Sequence, residues 1–184
     1  MPHPLTTKLD RPIVLVGLMG AGKSTVGRRL AKKLGLGFVD SDSEIQDASG
    51  FTPAEVFEKF GEADFRDGER RLIKRLIDEG HVQVIATGGG AYVDAATRRL
   101  LNKRAITVWL DADIDILAKR TWRPDTRPLL RGTLPERREK LAQLAEARRS
   151  SYAEAHCHVR SNDGAHGNVV EAIISAVSKH LERA

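Results

Sequence analysis

A glycine-rich segment between a predicted strand and a predicted helix constrains the fold of this chain more than any other feature. The segment Gly17–Ser24 fits the pattern G-x-x-x-x-G-K-[ST]. The β-branched run Ile13–Val16 precedes it, and apolar residues at helical spacing follow it as far as Gly35. In that context the backbone amides of the loop can surround phosphate groups. The segment therefore predicts a phosphate-binding P-loop.

Strands and helices alternate along the rest of the chain. Short runs of strand-forming residues predict further strands at Gly37–Val39, Val82–Ala86, Ala105–Leu110 and Cys157–Arg160, with helices between them. Such alternation produces crossover connections and a parallel sheet that is covered by helices on both faces. We therefore expect an α/β fold of three layers with a central five-stranded parallel sheet.

Three polar or glycine-rich segments follow the ends of predicted strands. They are the loop that begins at Gly17, the Asp40–Asp42 segment and the run Gly88–Gly90. Three consecutive glycines cost backbone entropy and allow a ligand to approach the main chain closely. Ligands of parallel α/β sheets bind beyond the carboxyl ends of the strands, so we expect these three segments to converge.

Composition limits the class of protein. The chain has 184 residues and a formal net charge of +5, with 41% hydrophobic and 30% charged residues. We expect one domain over residues 1–184 with a substantial core. The basic balance favours anionic partners, but it does not distinguish a nucleic acid from a small phosphate or carboxylate. Aromatic residues make up only 5%, and a basic sheet rich in aromatic residues is not found, so we expect no nucleic-acid partner.

Cysteine usage and hydropathy bear on the compartment. Cys157 is the only cysteine, which excludes an intrachain disulfide and a multi-cysteine metal site. A reducing cytoplasm fits this usage. No apolar stretch has the length of a signal peptide or a membrane span, so we expect neither export nor a membrane partner.

Asp40 and Asp42 are candidates for metal binding and proton transfer. They are two residues apart, so an extended backbone would direct both carboxylates to one side, at the end of the strand beside the P-loop. One could hold Mg²⁺ through water while the other accepts the hydroxyl proton of an acceptor substrate. An aspartate-rich turn that caps the next helix would explain the same residues.

Several arginines are candidate anion ligands. Arg66, with Glu69 three residues later, and Arg148 would each be read as part of a solvated helix face when taken alone. The segment 121–133 is basic and rich in proline, and it could form a lid that brings arginines onto a transferring phosphoryl group. A solvated loop with incidental charge is the alternative.

Together these motifs resemble those of the shikimate kinases, small P-loop kinases that phosphorylate the 3-hydroxyl of shikimate with Mg²⁺-ATP. The resemblance covers nearly the whole chain. The motifs that carry it are Gly17–Thr25, Asp40-Ser41-Asp42, Phe65-Arg66 with Glu69, Gly88-Gly89-Gly90, Arg127-Pro128-Leu129-Leu130 and Arg148 with Tyr152. The resemblance implies a P-loop NTPase fold like that of the nucleoside monophosphate kinases, with a substrate-binding helical segment at about 41–70 and a lid at about 121–133.

The resemblance also implies residue roles, with ATP as co-substrate and one Mg²⁺ per site. The catalytic residues it implies are Asp42, Lys23 and Arg127. Those implied for ATP are Gly20, Ala21, Gly22, Lys23, Ser24, Thr25, Arg120 and Arg127. Those implied for shikimate are Asp42, Phe57, Arg66, Gly88, Gly89, Gly90 and Arg148. Those implied for the metal are Ser24 and, through water, Asp40.

The expected partners are therefore ATP and shikimate, and the expected state is a cytoplasmic monomer. Two other classes of function remain open from the residues alone. One is another small-molecule P-loop kinase, such as a gluconate kinase or a nucleoside monophosphate kinase. The other is a nucleotide-dependent switch without catalysis. The Asp-x-Asp, Phe-Arg and triple-glycine motifs argue against the first, and acceptor-dependent release of ADP would exclude the second.

Overall fold

A five-stranded parallel sheet organises the protein. The computed structural model describes residues 1–121, 130, 132–161 and 166–184. The strands are β1 (Ile13–Val16), β2 (Gly37–Asp40), β3 (Gln83–Ala86), β4 (Ile106–Asp111) and β5 (Cys157–Arg160). They lie in the order β2-β3-β1-β4-β5, and every neighbouring pair is parallel. The predicted fold class is confirmed.

Helices connect the strands. Those that the structure describes are α1 (Lys23–Leu34), α2 (Ser41–Ser49), α3 (Pro53–Asp78), α4 (Ala95–Arg104), α5 (Ile114–Arg120), α6 (Leu134–Tyr152) and α7 (His166–Arg183), with short 3₁₀ turns at Thr6–Lys8 and Ala91–Val93. Among these helices, none combines the length and the apolar composition that a membrane crossing needs.

Strand β1 is the centre of the sheet. Its Val14 pairs with Ile85 of β3 on one side and with Thr107 of β4 on the other. All four residues of β1 and of β3 are buried, which explains the continuous apolar sequence of β1 and the apolar run Val84–Ala86 of β3. The strand order reverses at β1, so a crevice forms at its carboxyl end. The glycine-rich loop begins at this point.

Strand β2 lies at the edge of the sheet, and β3 separates it from β1. Asp40 ends β2, as predicted for a strand end beside the P-loop, although β2 does not adjoin the P-loop strand itself. The next strand along the chain, β3, lies between β2 and β1 and pairs with both. Helix α1 nevertheless brings Ser24 to the end of β2, where its hydroxyl donates a hydrogen bond to Asp40.

The backbone after Asp40 is helical, which also corrects the predicted extended segment Asp40–Asp42. Asp40 is the N-cap of α2, and its Oδ1 accepts hydrogen bonds from the amides of Asp42, at 2.9 Å, and Ser43, at 3.4 Å. Aspartate satisfies amides of a first helical turn well, so α2 starts at once. The capping alternative accounts for Asp40, while Asp42 lies in the first turn of α2.

Helix α3 carries candidate site residues, among them Phe57 and Arg66, and its helical geometry is interrupted once. Thr52 and Glu55 form a capping box and Pro53 occupies the first turn. At Gly61 the backbone leaves helical geometry, with φ 86° and ψ 170°, a left-handed φ that suits glycine. A glycine at such a position could end a helix, but here it makes a kink, and a second helical stretch continues to Asp78.

Candidate active site

A cleft of about 740 Å³ opens at the carboxyl ends of the central strands. The three segments that were expected to converge meet around it. Predicted site residues that line the cleft are Gly20, Gly22, Lys23, Ser24, Thr25, Asp42, Phe57, Arg66, Gly88, Gly89, Gly90, Arg120 and Arg148. Most of the predicted lid 121–133, including Arg127, lies outside the described residues.

The glycine-rich loop has the geometry of an anion-binding turn. Gly20 and Gly22 have φ values of 85° and 93°, which only glycine adopts readily. Helix α1 begins at the next residue, Lys23, so its N-terminal amides face the loop. Lys23 is buried, and its Nζ donates hydrogen bonds to the carbonyls of Gly17, at 2.8 Å, and Leu18, at 2.9 Å. The loop, the helix end and the ammonium group together suit phosphate oxygens.

Ser24, which lines the cleft, and Asp40 form a hydrogen-bonded pair of side-chain oxygens. The Ser24 hydroxyl donates to Asp40 Oδ2, while Asp40 Oδ1 caps α2. Among the described residues, no cluster of three or more His, Cys, Asp or Glu side chains could hold a metal ion. A pair of hard oxygen donors fits Mg²⁺, which keeps waters and takes further oxygens from substrate phosphates.

The three glycines, which we call the glycine turn (Gly88–Gly90), allow side chains of the protein to press against the main chain. A Cβ atom on Gly88 would lie 2.7 Å from Glu69 Oε2 and 3.0 Å from Asp42 Oδ1. A Cβ atom on Gly90 would lie 2.5–2.6 Å from the guanidinium of Arg66. One end of the turn thus faces two carboxylates and the other end faces a cation.

Glu69 is a site residue that the sequence reasoning missed. Its side chain is 3% exposed, and Oε1 accepts a hydrogen bond from Arg66 Nη1 at 2.8 Å. Among the described residues, no donor reaches its buried Oε2. Burial raises the pKa of the Glu69 carboxyl above its ordinary value, and nearby Asp42 adds to the rise while Arg66 opposes it. The spacing to Arg66 was the available signal, but it also fits a surface ion pair.

Arg148 and Tyr152 both bind the carbonyl oxygen of Gly89. Arg148 is 9% exposed and donates from Nη1 at 3.0 Å, and the Tyr152 hydroxyl donates at 2.5 Å. The two residues are four apart on α6 and so lie on the same helix face. Tyr152 belonged to the motif that carried the resemblance, but no site role was predicted for it.

Three other predicted residues occupy distinct places. Arg120 donates from Nη1 to the carbonyls of Gly20, at 3.3 Å, and Ser161, at 3.2 Å, so it joins the P-loop to the end of β5. Ala21 is buried and does not line the cleft; its carbonyl accepts a hydrogen bond from the Ser161 hydroxyl. Phe57 lines the cleft beside Phe65, with ring centroids 6.0 Å apart.

Comparison with known proteins places this chain. The family model described as shikimate kinase matches residues 19–178. The curated shikimate kinase of Caulobacter vibrioides (strain NA1000 / CB15N) is 54% identical over 167 residues, which cover 91% of this chain and 82% of that protein. The chain belongs to the shikimate kinase family. The shikimate kinase of Paramagnetospirillum magneticum is 51% identical over 177 residues, which cover 96% of this chain and 87% of that protein.

Solved structures agree with this family. The structure of a shikimate kinase from Acinetobacter baumannii in complex with shikimate has a TM-score of 0.87 and 38% identity, covering 95% of this chain and 97% of that one. A gluconokinase from Sinorhizobium meliloti has a TM-score of 0.59 and 16% identity, a likeness that shows the fold alone. As a shikimate kinase by family, the chain is an ATP-dependent kinase that phosphorylates a hydroxyl of shikimate.

Proposed function

We propose that the cleft holds shikimate between two arginines and Asp42 and transfers the γ-phosphoryl group of ATP to its 3-hydroxyl. The observation that carries this proposal is the polarity of the glycine turn, with carboxylates at the Gly88 end and guanidinium groups at the Gly89 and Gly90 positions. An acceptor with a carboxylate at one end and hydroxyls at the other matches this polarity. A planar guanidinium can bind a carboxylate through two hydrogen bonds and so orient the whole molecule.

The roles of the acceptor side follow from this orientation. Arg66 and Arg148 bind the substrate carboxylate, and Phe57 and the glycine turn limit the position of the ring. Asp42 accepts the proton of the 3-hydroxyl while the oxygen of that hydroxyl forms the bond to the γ-phosphorus. The bond from that phosphorus to the β,γ-bridging oxygen breaks, and ADP leaves with the electron pair. The helical segment 41–70 is then the acceptor-binding part of a single domain.

The nucleotide side uses the P-loop. Its amides and the Lys23 ammonium bind the phosphates. On binding, Lys23 gives up its hydrogen bonds to the loop carbonyls and forms bonds to phosphate oxygens instead. Ser24 and, through water, Asp40 would hold Mg²⁺, which supplies charge neutralisation on the phosphates when bound. On the family resemblance alone, we assign Arg127 to the charge on the transferring group.

The test is a coupled assay of ADP release with ATP, Mg²⁺ and a panel of acceptors: shikimate, quinate, gluconate and nucleoside monophosphates. Shikimate should be the preferred acceptor, and chelation of Mg²⁺ should abolish turnover. Equal or greater turnover on gluconate or a nucleoside monophosphate would contradict the proposal. ADP release that does not depend on any acceptor would instead support a nucleotide switch.

Asp42→Asn tests the proton acceptor. The variant keeps the shape of the side chain and loses its basicity, so we expect turnover to fall by about 10²-fold or more while ATP binding persists. Asp47→Asn is the matched control, because Asp47 is an exposed aspartate on the same helix. Wild-type turnover of Asp42→Asn would show that another group takes the proton.

We also propose that the enzyme works as a monomer in the cytoplasm. One chain carries the P-loop, Asp42 and the glycine turn in its own cleft, so a single protomer holds candidate groups for both ATP and shikimate. Cys157 is buried, and burial raises the pKa of its thiol to about 11. The thiol therefore stays protonated at neutral pH and resists oxidation. Sedimentation at assay concentration should give a species near 20.3 kDa.

A further inference from the structure

Tyr152 connects the substrate side of the cleft to an aromatic stack behind it. Its ring stacks with those of Tyr92 and Trp109, with centroids 6.5 and 5.7 Å away. The residue is 1% exposed, so the ring is enclosed by the core. Its hydroxyl donates to the Gly89 carbonyl. Burial raises the pKa of the Tyr152 phenol, which keeps this hydroxyl a donor at neutral pH.

The Gly89 carbonyl is a sensitive point of the glycine turn. A peptide unit is planar and trans, so the carbonyl of Gly89 and the N–H of Gly90 point in opposite directions. Fixing the carbonyl toward Tyr152 therefore also fixes the direction of the Gly90 N–H, and Gly90 lines the cleft. The second donor to this carbonyl is Arg148, whose orientation depends on the same oxygen.

We propose that Tyr152 is a positioning residue for the acceptor. Its hydroxyl sets the peptide plane between Gly89 and Gly90 and, through the shared carbonyl, the guanidinium of Arg148. Both groups then meet the carboxylate of the substrate without reorganisation. This inference rests on the proposed function, because it concerns how the same cleft holds its acceptor. It assigns a role to a side chain that touches neither substrate nor nucleotide.

Tyr152→Phe is the direct test, because it removes the hydroxyl and keeps the ring in its stack. Losing one neutral hydrogen bond should raise the KM for shikimate by about 5- to 10-fold. The KM for ATP and the kcat should each stay within about 2-fold, since the phosphate side and the Asp42 carboxylate are unchanged. A KM for shikimate equal to that of the wild type would overturn the proposal.

Tyr92→Phe is the matched control. Tyr92 belongs to the same stack, but its hydroxyl donates to Asn102 Oδ1 at 2.7 Å rather than to the glycine turn. The control should lose stability and keep the wild-type KM for shikimate. An equal rise of KM in both variants would reduce Tyr152 to a structural role. A wild-type protein without shikimate-dependent ADP release would contradict the proposed function itself, whereas an inert Tyr152→Phe change in an active enzyme would contradict only this inference.

A spectroscopic measurement keeps the test independent of how Tyr152→Phe folds. The chain has two tyrosines, so in Tyr92→Phe the Tyr152 ring is the only site for labelling with 3-fluorotyrosine. Its ¹⁹F resonance should shift on saturation with shikimate, because the bound carboxylate polarises the peptide that Tyr152 contacts. ADP alone should move it less. A resonance that does not respond to saturating shikimate would overturn the proposal.

Discussion

The buried carboxylate of Glu69 shows how a single residue of the site is balanced. Removing a carboxylate from water is costly unless a cation and hydrogen bonds compensate for the lost hydration. Arg66 supplies both to one oxygen, at 2.8 Å, while the carboxylate of Asp42 opposes ionisation from the other side. Burial outweighs the attraction of Arg66, so the pKa of Glu69 is raised. Glu69 therefore fixes the direction of the Arg66 guanidinium, and its ionised form lowers the stability of the folded state.

Glu69→Gln should make the free energy of unfolding less dependent on pH. A carboxyl with a raised pKa in the folded state stabilises the fold below its unfolded value, ordinarily 4.5, and this share is lost as pH rises through the folded pKa. Glutamine does not titrate. Measured by urea unfolding from pH 4 to 8, the stability of Glu69→Gln relative to wild type should therefore increase with pH.

Glu62→Gln is the control for this measurement. Glu62 also faces Arg66, with Oε1 at 3.9 Å from Nε, but its side chain is 61% exposed. Solvent screens such a pair, so the stability difference between this variant and the wild type should stay flat across the same pH range. A flat difference for Glu69→Gln as well would contradict the assignment of a raised pKa to Glu69.

At the scale of secondary structure, Asp40 joins the end of β2 to the start of α2. One carboxylate oxygen caps the helix and the other accepts from Ser24. Asparagine caps helices about as well as aspartate does, whereas alanine costs roughly 1 kcal/mol. We expect Asp40→Asn to keep the thermal stability while it raises the Mg²⁺ concentration needed for half-maximal turnover.

Asp40→Ala should lose both properties. Thermal unfolding and Mg²⁺ titrations of the two variants therefore separate the cap from the metal ligand. If Asp40→Asn needed no more Mg²⁺ than the wild type, the carboxylate would serve the helix alone.

The glycine turn is the second element whose geometry is functional. A Cβ atom at Gly90 would meet the Arg66 guanidinium, and displacement of that group should weaken shikimate binding by about 10-fold or more. Gly90→Ala should thus raise the KM for shikimate and leave the KM for ATP unchanged in the coupled assay. An unchanged KM for shikimate would mean that Arg66 moves aside without consequence.

Gly68→Ala supplies the comparison. Gly68 lies inside α3, and apart from the adjoining helix backbone no described atom is within 4 Å of its Cβ position. A helical alanine is favoured over glycine by about 0.5 to 1 kcal/mol. This variant should therefore raise the melting temperature and leave both KM values unchanged.

The elements differ in how far the sequence predicts them. Strand β1, the loop after it and helix α1 carry strong local signals, because a buried strand, positive-φ glycines and a helical stripe each need particular residue types. The edge position of β2 depends on which strands pair across the sheet, and no local signal encodes that choice. The burial of Glu69 was missed for the same reason, since its partner spacing is identical in a solvated helix.

At the scale of the whole molecule, the site is assembled from segments that are distant in sequence. The P-loop follows β1, Asp42 and Arg66 come from α2 and α3, and Arg148 comes from α6, more than a hundred residues after the P-loop. An unfolded chain does not keep these groups together. A ligand that binds the cleft therefore binds the folded state and stabilises the whole fold, by about 2.7 kcal/mol at a ligand concentration 100 times its Kd.

Thermal unfolding should separate the two halves of the cleft. Shikimate and ADP should each raise the melting temperature of the wild type. In Arg148→Ala, loss of a charge-assisted partner should weaken shikimate binding by about 10- to 100-fold. The shikimate increment, at the concentration that is 100 times the wild-type Kd, should then fall from about 2.7 to between about 0.4 and 1.4 kcal/mol. The ADP increment should be retained, because Arg148 contacts the glycine turn rather than the P-loop. Arg149→Ala is the control, because Arg149 is an exposed neighbour on α6, and it should keep both increments. An Arg148→Ala protein that loses only the ADP increment would assign Arg148 to the nucleotide.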